Sequence, residues 1–171
     1  QLVKEHAKGL PLMPGVGTNS LSGTLANIRL MEPLCPAALL VVVPYYNKPT
    51  QQGLYEYFKA VAGETSLPVV LYNVPGRTGA NILPDTVLRL AAEVPNIRGI
   101  KEASGNFTQV SLLARSLPAG FSLLSGDDDM TLAYMAAGAH GVISVASNNP
   151  PAEVAQMVDA PTRAHISAER A

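Results

Sequence analysis

Gly99-Ile100-Lys101-Glu102-Ala103-Ser104-Gly105 is an apolar run that ends in a lysine and then turns on small residues. The run over 97–100 reads as a strand, and the small residues beyond it read as a turn into the next helix. A lysine at a strand end inside a closed fold is costly, because burial disfavours the ammonium form. The useful consequence is a lowered pKa, and a neutral amine can attack a ketone to form a Schiff base. Taken alone, a lysine is most simply a surface residue. The rest of the chain singles this one out, because its other polar signals stand at the same end of similar runs.

Working outward, apolar strand-like runs recur at 10–13, 38–43, 68–72, 97–100, 121–124 and 141–145. Helical periodicity fills the stretches between them. Leu54, Phe58 and Val61 share a face, as do Val87, Leu90 and Ala91, and Val110, Leu113 and Ala114. A strand-to-strand spacing of roughly 20 to 30 residues is one strand–helix unit of an α/β fold. Such units build either an open doubly wound sheet or a (β/α)8 TIM barrel.

The polar residues choose between these. Gly15-Val16-Gly17-Thr18-Asn19 follows the first run, Pro44-Tyr45-Tyr46-Asn47 the second and Tyr72-Asn73-Val74-Pro75 the third. Lys101-Glu102 follows the fourth and Ser125-Gly126-Asp127-Asp128 the fifth. A barrel gathers all its C-terminal strand ends around one mouth, whereas an open sheet gathers only those at a switch point. Chemistry spread over five strand ends therefore predicts a (β/α)8 barrel, of which about six of the eight strand–helix units are visible.

Composition agrees with a buried parallel sheet covered by helices. The 171 residues are 47% hydrophobic and only 15% charged, and a chain of this length can bury one substantial core. A net charge of -1 gives no electrostatic case for nucleic acid or an anionic membrane. The single cysteine, Cys35, allows no intrachain disulfide and reads as a packing residue. No secretory leader and no membrane-length apolar run is visible, so a cytoplasmic location is expected. Residues 1–8 read as the end of a helix with no initiating Met, which suggests a piece of a longer protein.

Several motifs carry less than they first suggest. Gly15-Val16-Gly17 lacks the third glycine of a dinucleotide loop, since that position is Ser20, and it reads as a tight turn. Asp127-Asp128-Asp129 has no cation-ligand spacing and reads as a cap for a helix over 130–137. His6, His140 and His165 are scattered, so no metal site is expected. Ser125 lacks a nucleophile elbow. Tyr45 and Tyr46 are adjacent on a strand end, so one should face the barrel mouth and the other a neighbour or partner. Tyr72, one unit later, is either a core residue or a proton donor and acceptor beside the lysine. Arg77 is either a solvated turn residue or a planar fork for a substrate carboxylate.

Read together, Pro44-Tyr45-Tyr46-Asn47-Lys48-Pro49, Leu71-Tyr72-Asn73-Val74-Pro75-Gly76-Arg77-Thr78-Gly79, the Lys101 block, Leu124-Ser125-Gly126-Asp127-Asp128 and Gly141-Val142-Ile143-Ser144-Val145 closely resemble the dihydrodipicolinate synthase family. That family belongs to the pyruvate-dependent class I aldolases, which include N-acetylneuraminate lyase. Lys101 and its preceding glycine belong to the whole superfamily, and the Arg77 block favours the synthase.

The resemblance implies a lyase of the lysine and diaminopimelate route that condenses pyruvate with L-aspartate 4-semialdehyde. It implies that Lys101 forms the Schiff base, that Tyr72 shuttles protons, and that Tyr46 completes the relay by reaching into the neighbouring subunit of a tight dimer. Arg77 is implied to hold the semialdehyde carboxylate, and Gly126 and Ile143 to line the pocket. Asn19 and Tyr45 match positions for feedback lysine, although Gly23 stands where the family has an acidic partner. No metal or diffusible cofactor is implied, and the full-length protein is expected to be a homotetramer. The family's Gly-Thr-Thr-Gly-Glu stretch, which binds the pyruvate carboxylate, is not in this chain. Leu34-Cys35-Pro36-Ala37 stands where the family usually has a Gly-Ala-Asp-like turn. Residues 1–160 are expected to form a partial barrel, its third to eighth strands, and 161–171 to begin the C-terminal helical region. Two other readings stay open: another 2-keto acid aldolase, or a non-catalytic barrel fragment that needs its missing segments or a partner.

Overall fold

Five short runs rich in aliphatic residues pair side by side in the order in which they occur. They are β1 (Leu39–Val42), β2 (Val69–Asn73), β3 (Ile97–Glu102), β4 (Ser122–Ser125) and β5 (Gly141–Val142). Every pairing is parallel and the sheet order is β1-β2-β3-β4-β5. A doubly wound sheet must reverse its order somewhere, whereas strictly sequential parallel strands are the pattern of a (β/α)8 barrel. The computed structural model describes residues 2–168, with side chains as far as residue 160.

The connections are helical, as the periodicity predicts. They are α1 (Leu2–His6), α2 (Leu21–Met31), α3 (Gln51–Gly63), α4 (Pro75–Thr78), α5 (Pro84–Glu93), α6 (Phe107–Ser116), α7 (Thr131–Ala136) and α8 (Pro151–Ala168). Local chemistry starts several of them. The Thr50 hydroxyl accepts from the Gly53 amide at the start of α3, and the Asn106 side-chain Oδ1 accepts from the Gln109 amide at the start of α6. Pro84 opens α5, where its missing N–H is no loss. Leu54, Phe58 and Val61 of α3, Val87 and Leu90 of α5, and Val110 and Leu113 of α6 are all buried.

Sheet burial alternates, and this is what makes a site. Leu39, Val41 and Val43 are fully buried in the shared core. Leu40 and Val42 face the other way and line a cavity on the inner side of the sheet. Gly17 lies against this sheet so closely that a Cβ there would stand 2.5 Å from the Val42 amide nitrogen. The tight turn expected at Gly15–Gly17 does not form, because these residues run alongside β1, and Gly17 is needed for that close approach instead.

The first expected strand, 10–13, does not form. Residues 12–16 run beside β1, with the Ala37 amide bonded to the Leu12 carbonyl, Leu40 to Pro14 and Val16 to Leu40, and Gly15 makes one isolated parallel bridge to Leu40. Pro11 and Pro14 cannot donate to a ladder, and Leu10 is 72% exposed. The last run also shortens, because only Gly141 and Val142 pair while Val145 is exposed. Cys35 does not pack inside as expected. It is exposed, in a left-handed backbone conformation that ends a single 3-10 turn. α8 carries the chain past residue 160, and residues 169–171 of the expected C-terminal region lie outside the described residues.

Candidate active site

The parallel register sets Tyr72 of β2 directly beside Lys101 of β3. Both side chains therefore face the inner side, and the Lys101 Nζ lies 4.3 Å from the centre of the Tyr72 ring. Lys101 is only 7% exposed. Burial holds its pKa below the ordinary lysine value, against an opposing pull from Asp127 and Asp128. Burial pushes the Tyr72 phenol up, with Arg77 opposing and Asp127 reinforcing. The pair is thus an amine biased towards its neutral, nucleophilic form beside a phenol that keeps its proton at neutral pH.

A cavity of about 350 Å³ opens on one side of this pair. Gly15, Gly17, Leu40, Val42, Tyr45, Tyr72, Val74, Arg77 and Thr78 line it. Arg77 rides on the single turn of α4, which Pro75 opens and Gly79 closes in a left-handed conformation. The buried Thr78 hydroxyl donates to the Ala80 carbonyl at 2.8 Å and ties that turn down. Lys101 itself does not line this cavity, but an exposed guanidinium at its rim, beside the Tyr72 ring, suits a small ligand carrying a carboxylate.

Gly126 closes the other side of the lysine. A Cβ at this position would stand 2.9 Å from the Lys101 Cε and 2.6 Å from the Ala103 Cβ. Ile143 follows β5 on the same side, its amide donating to the Ser125 carbonyl at 2.9 Å, and is half-buried. It does not line the 350 Å³ cavity.

The two adjacent tyrosines separate, but in a loop beyond the end of β1 rather than by alternation on a strand. Tyr45 lines the cavity, whereas Tyr46 is 87% exposed. Its backbone takes a left-handed turn, with φ 71°, and its amide donates to the Thr78 carbonyl at 3.1 Å. Within this chain Tyr46 does not meet Tyr72 or Lys101. Asn19 joins the same loop: the Asn47 side-chain amide donates to the Asn19 carbonyl at 2.6 Å.

The acidic run behaves differently from the expected helix cap. α7 begins at Thr131, and its N-cap residue Met130 supplies no side-chain cap. Asp128 instead accepts the Val145 and Ala146 amides at 3.1 and 3.0 Å, at the start of the 3-10 turn Ala146–Asn148. The segment after β5 takes the Asp128 carboxylate, and α7 starts without a side-chain cap. Asp127, which sequence reasoning assigned to capping, is pushed up by burial and by Asp129 and lies within the electrostatic reach of Lys101 and Tyr72. Sequence reasoning also missed Glu102, which is fully buried. Strand alternation from Lys101 carries a signal for its facing outward, but its partners come from three separate segments. Among the described residues no group of three or more His, Cys, Asp or Glu side chains converges as a metal site, and no helix is long and apolar enough to cross a membrane.

Comparison with known proteins agrees with this geometry. The model of the Dihydrodipicolinate synthetase family matches residues 1–170. The 4-hydroxy-tetrahydrodipicolinate synthase of Chlorobium phaeovibrioides is 43% identical over 171 residues, covering 99% of this chain and 58% of the relative. The crystal structure of dihydrodipicolinate synthase from Aquifex aeolicus superposes with a TM-score of 0.91 at 42% identity, over 98% of this chain and 57% of that one. A chloride-inhibited dihydrodipicolinate synthase from Acinetobacter baumannii, complexed with pyruvate, superposes with a TM-score of 0.89 at 40% identity, over 95% and 55%. The chain spans little more than half the length of these relatives, and its α/β fold is part of a (β/α)8 barrel. On the buried lysine, its tyrosine partner and the match over nearly its whole length, the chain belongs to the dihydrodipicolinate synthetase family.

Proposed function

We propose that this chain carries the Schiff-base site of a 4-hydroxy-tetrahydrodipicolinate synthase, which condenses pyruvate with L-aspartate 4-semialdehyde. The observation that carries the reading is the buried Lys101 amine against the Tyr72 ring, 4.3 Å from its centre. The neutral amine adds to the keto carbon of pyruvate, and loss of water from the carbinolamine gives the iminium. Removal of a methyl proton gives the enamine, whose carbon attacks the aldehyde carbon. Tyr72 supplies and takes up protons in these steps, helped by a phenol that burial keeps protonated. Arg77 holds the carboxylate of the incoming semialdehyde, and Gly126 and Ile143 bound the pocket beyond the lysine.

Tyr46, exposed on its left-handed turn, suits a role in the neighbouring subunit of a dimer, and the family resemblance extends that dimer to a tetramer. Asn19 and Tyr45, which share one loop cluster, are the candidates for a regulatory lysine contact. No metal or diffusible cofactor is required, because the iminium is the electron sink. Residues 1–160 are assigned to the barrel and 161–171 to the start of the C-terminal helical region, and the enzyme to the cytoplasm, in line with its single cysteine.

Incubation with pyruvate and borohydride tests this. Peptide mass spectrometry should find one reduced pyruvate adduct, on Lys101. A folded chain that gains no mass would count against the site and favour a fragment that needs further segments. Substitution Arg77→Ala separates the synthase from a sister aldolase. A hydrogen bond from a charged group contributes about 1.5–3 kcal/mol, so KM for aspartate semialdehyde should rise about tenfold to hundredfold. Pyruvate trapping, and condensation with an aldehyde lacking the carboxylate, should change little.

A further inference from the structure

β3 does not stop at the lysine. Its last residue, Glu102, faces the opposite side of the sheet, and the register that sets Tyr72 beside Lys101 also sets Asn73 beside Glu102. The inner pair forms the candidate site, and the outer pair lies beneath the helices. Glu102 is 0% exposed and has no Lys, Arg or His among its hydrogen-bond partners. Its Oε1 accepts from the Ser104 amide at 2.8 Å and from Asn73 Nδ2 at 3.1 Å. Its Oε2 accepts from Asn73 Nδ2 at 3.0 Å and from Gln109 Nε2 at 3.0 Å.

These amide nitrogens can only donate, so the seat is shaped for an acceptor-only carboxylate. Burying an unpaired carboxylate is expensive, and burial does push the Glu102 pKa up. The hydrogen bonds from Ser104, Asn73 and Gln109 oppose that push. Asn81 completes the cluster, accepting from Asn73 Nδ2 at 2.7 Å and donating to Gln109 Oε1 at 3.1 Å. The Ile82 amide donates to Asn73 Oδ1 at 3.2 Å. One carboxylate thus ties together the ends of β2 and β3, the segment before α5 and the first turn of α6.

Main-chain bonds carry this order to the site. The Ala103 amide donates to the Asn73 carbonyl at 2.8 Å, and the Gly126 amide donates to the carbonyl of Glu102 itself at 2.8 Å. Gly126 is the surface on which the Lys101 stem rests.

We propose that Glu102 is a positioning residue for Lys101, clamping the ends of β2 and β3 from the outer face so that the lysine stem lies over Gly126 and meets the Tyr72 ring. Its consequence for turnover rests on the Schiff-base reading above; the clamp itself does not.

The test is the pH midpoint of Lys101 labelling by formaldehyde and cyanoborohydride, read by peptide mass spectrometry with exposed Lys59 as the internal reference. The charged and titratable groups around Lys101 are Tyr72, Asp127 and Asp128, and the titratable group facing Glu102 is the Tyr134 phenol, pushed up to about 12 by burial, Asp127 and Glu102. Glu102→Gln keeps the shape but sets an amide donor against donors. If the clamp positions the lysine, water reaches the loosened amine and the midpoint moves up. If Glu102 acts only through its charge, removing an anion moves the midpoint down. A fall, or no change, overturns the proposal.

With pyruvate and borohydride, the limiting trapping rate of Glu102→Gln should drop about tenfold to a hundredfold at saturating pyruvate, as for a misplaced reacting group. A wild-type chain that traps no pyruvate defeats the Schiff-base reading, while the labelling midpoint still judges the clamp. Should Glu102→Gln lose its cooperative melt, Gln109→Leu keeps the carboxylate and removes one of its donors, together with the Gln109 bonds to Asn81 and Ile82. That variant should give a smaller upward midpoint, and an unchanged one again overturns the clamp.

Discussion

Lys101→Met is expected to abolish the borohydride-trapped pyruvate adduct and to lower turnover by on the order of 10⁶-fold, the scale seen when a covalent nucleophile is removed. Methionine fills a similar volume, so the loss is chemical rather than a failure of packing. The same substitution should leave stability equal or higher. Burial lowers the folded-state pKa of Lys101 below its ordinary value of 10.5, so the folded chain binds that proton less well than the unfolded one. The penalty is full at any pH below the lowered pKa and fades as pH rises towards 10.5. A thermal melt at neutral pH should therefore show no drop for Lys101→Met, and an excess that shrinks in alkali. A variant that still formed the adduct, or that melted several degrees lower, would show that the amine does not occupy a dry, unfavourable seat.

The second large effect is expected at Gly126. A methyl group there would stand 2.6 Å from the Ala103 Cβ and 2.9 Å from the Lys101 Cε, closer than such atoms can rest. Ala103 is anchored at the end of β3 by its amide bond to Asn73 and cannot retreat easily. The Lys101 stem is the part free to move, and moving it takes the amine off the Tyr72 ring. Overpacking of this kind costs about 1–3 kcal/mol. Gly126→Ala should thus lower the melting midpoint by several degrees. Its larger effect should fall on the chemistry, with pyruvate trapping about a hundredfold slower because the amine is displaced by about an ångström. Comparing adduct rate with the fraction folded separates the two losses. Equal rates per folded molecule would mean that the lysine stem does not lean on Gly126.

The chain's organisation was legible where physics acts locally. Leu54, Phe58 and Val61 announce a buried helix face, and the aliphatic runs of β1, β2 and β3 announce doubly covered parallel strands. The lysine at the end of β3 was readable for the same reason, since an ionisable residue closing an apolar run stands against its surroundings. Where the sequence misled, a distant segment had changed the outcome. Residues 10–13 look like a strand but precede a proline-punctuated edge that makes only one bridge. Asp128 stands before a helix yet serves amides that come from beyond β5.

Periodicity, turn chemistry and the spacing of apolar runs determined the α/β class and the lysine that closes one of those runs, because these depend on neighbours a few residues away. Register and packing decided the rest: which tyrosine meets the cavity, that Gly126 rather than any larger residue can lie under the lysine, and that Glu102 is held by Asn73, Ser104 and Gln109. Those contacts join segments tens of residues apart, and side chains so far separated meet only once the strands have paired and the helices have closed over them.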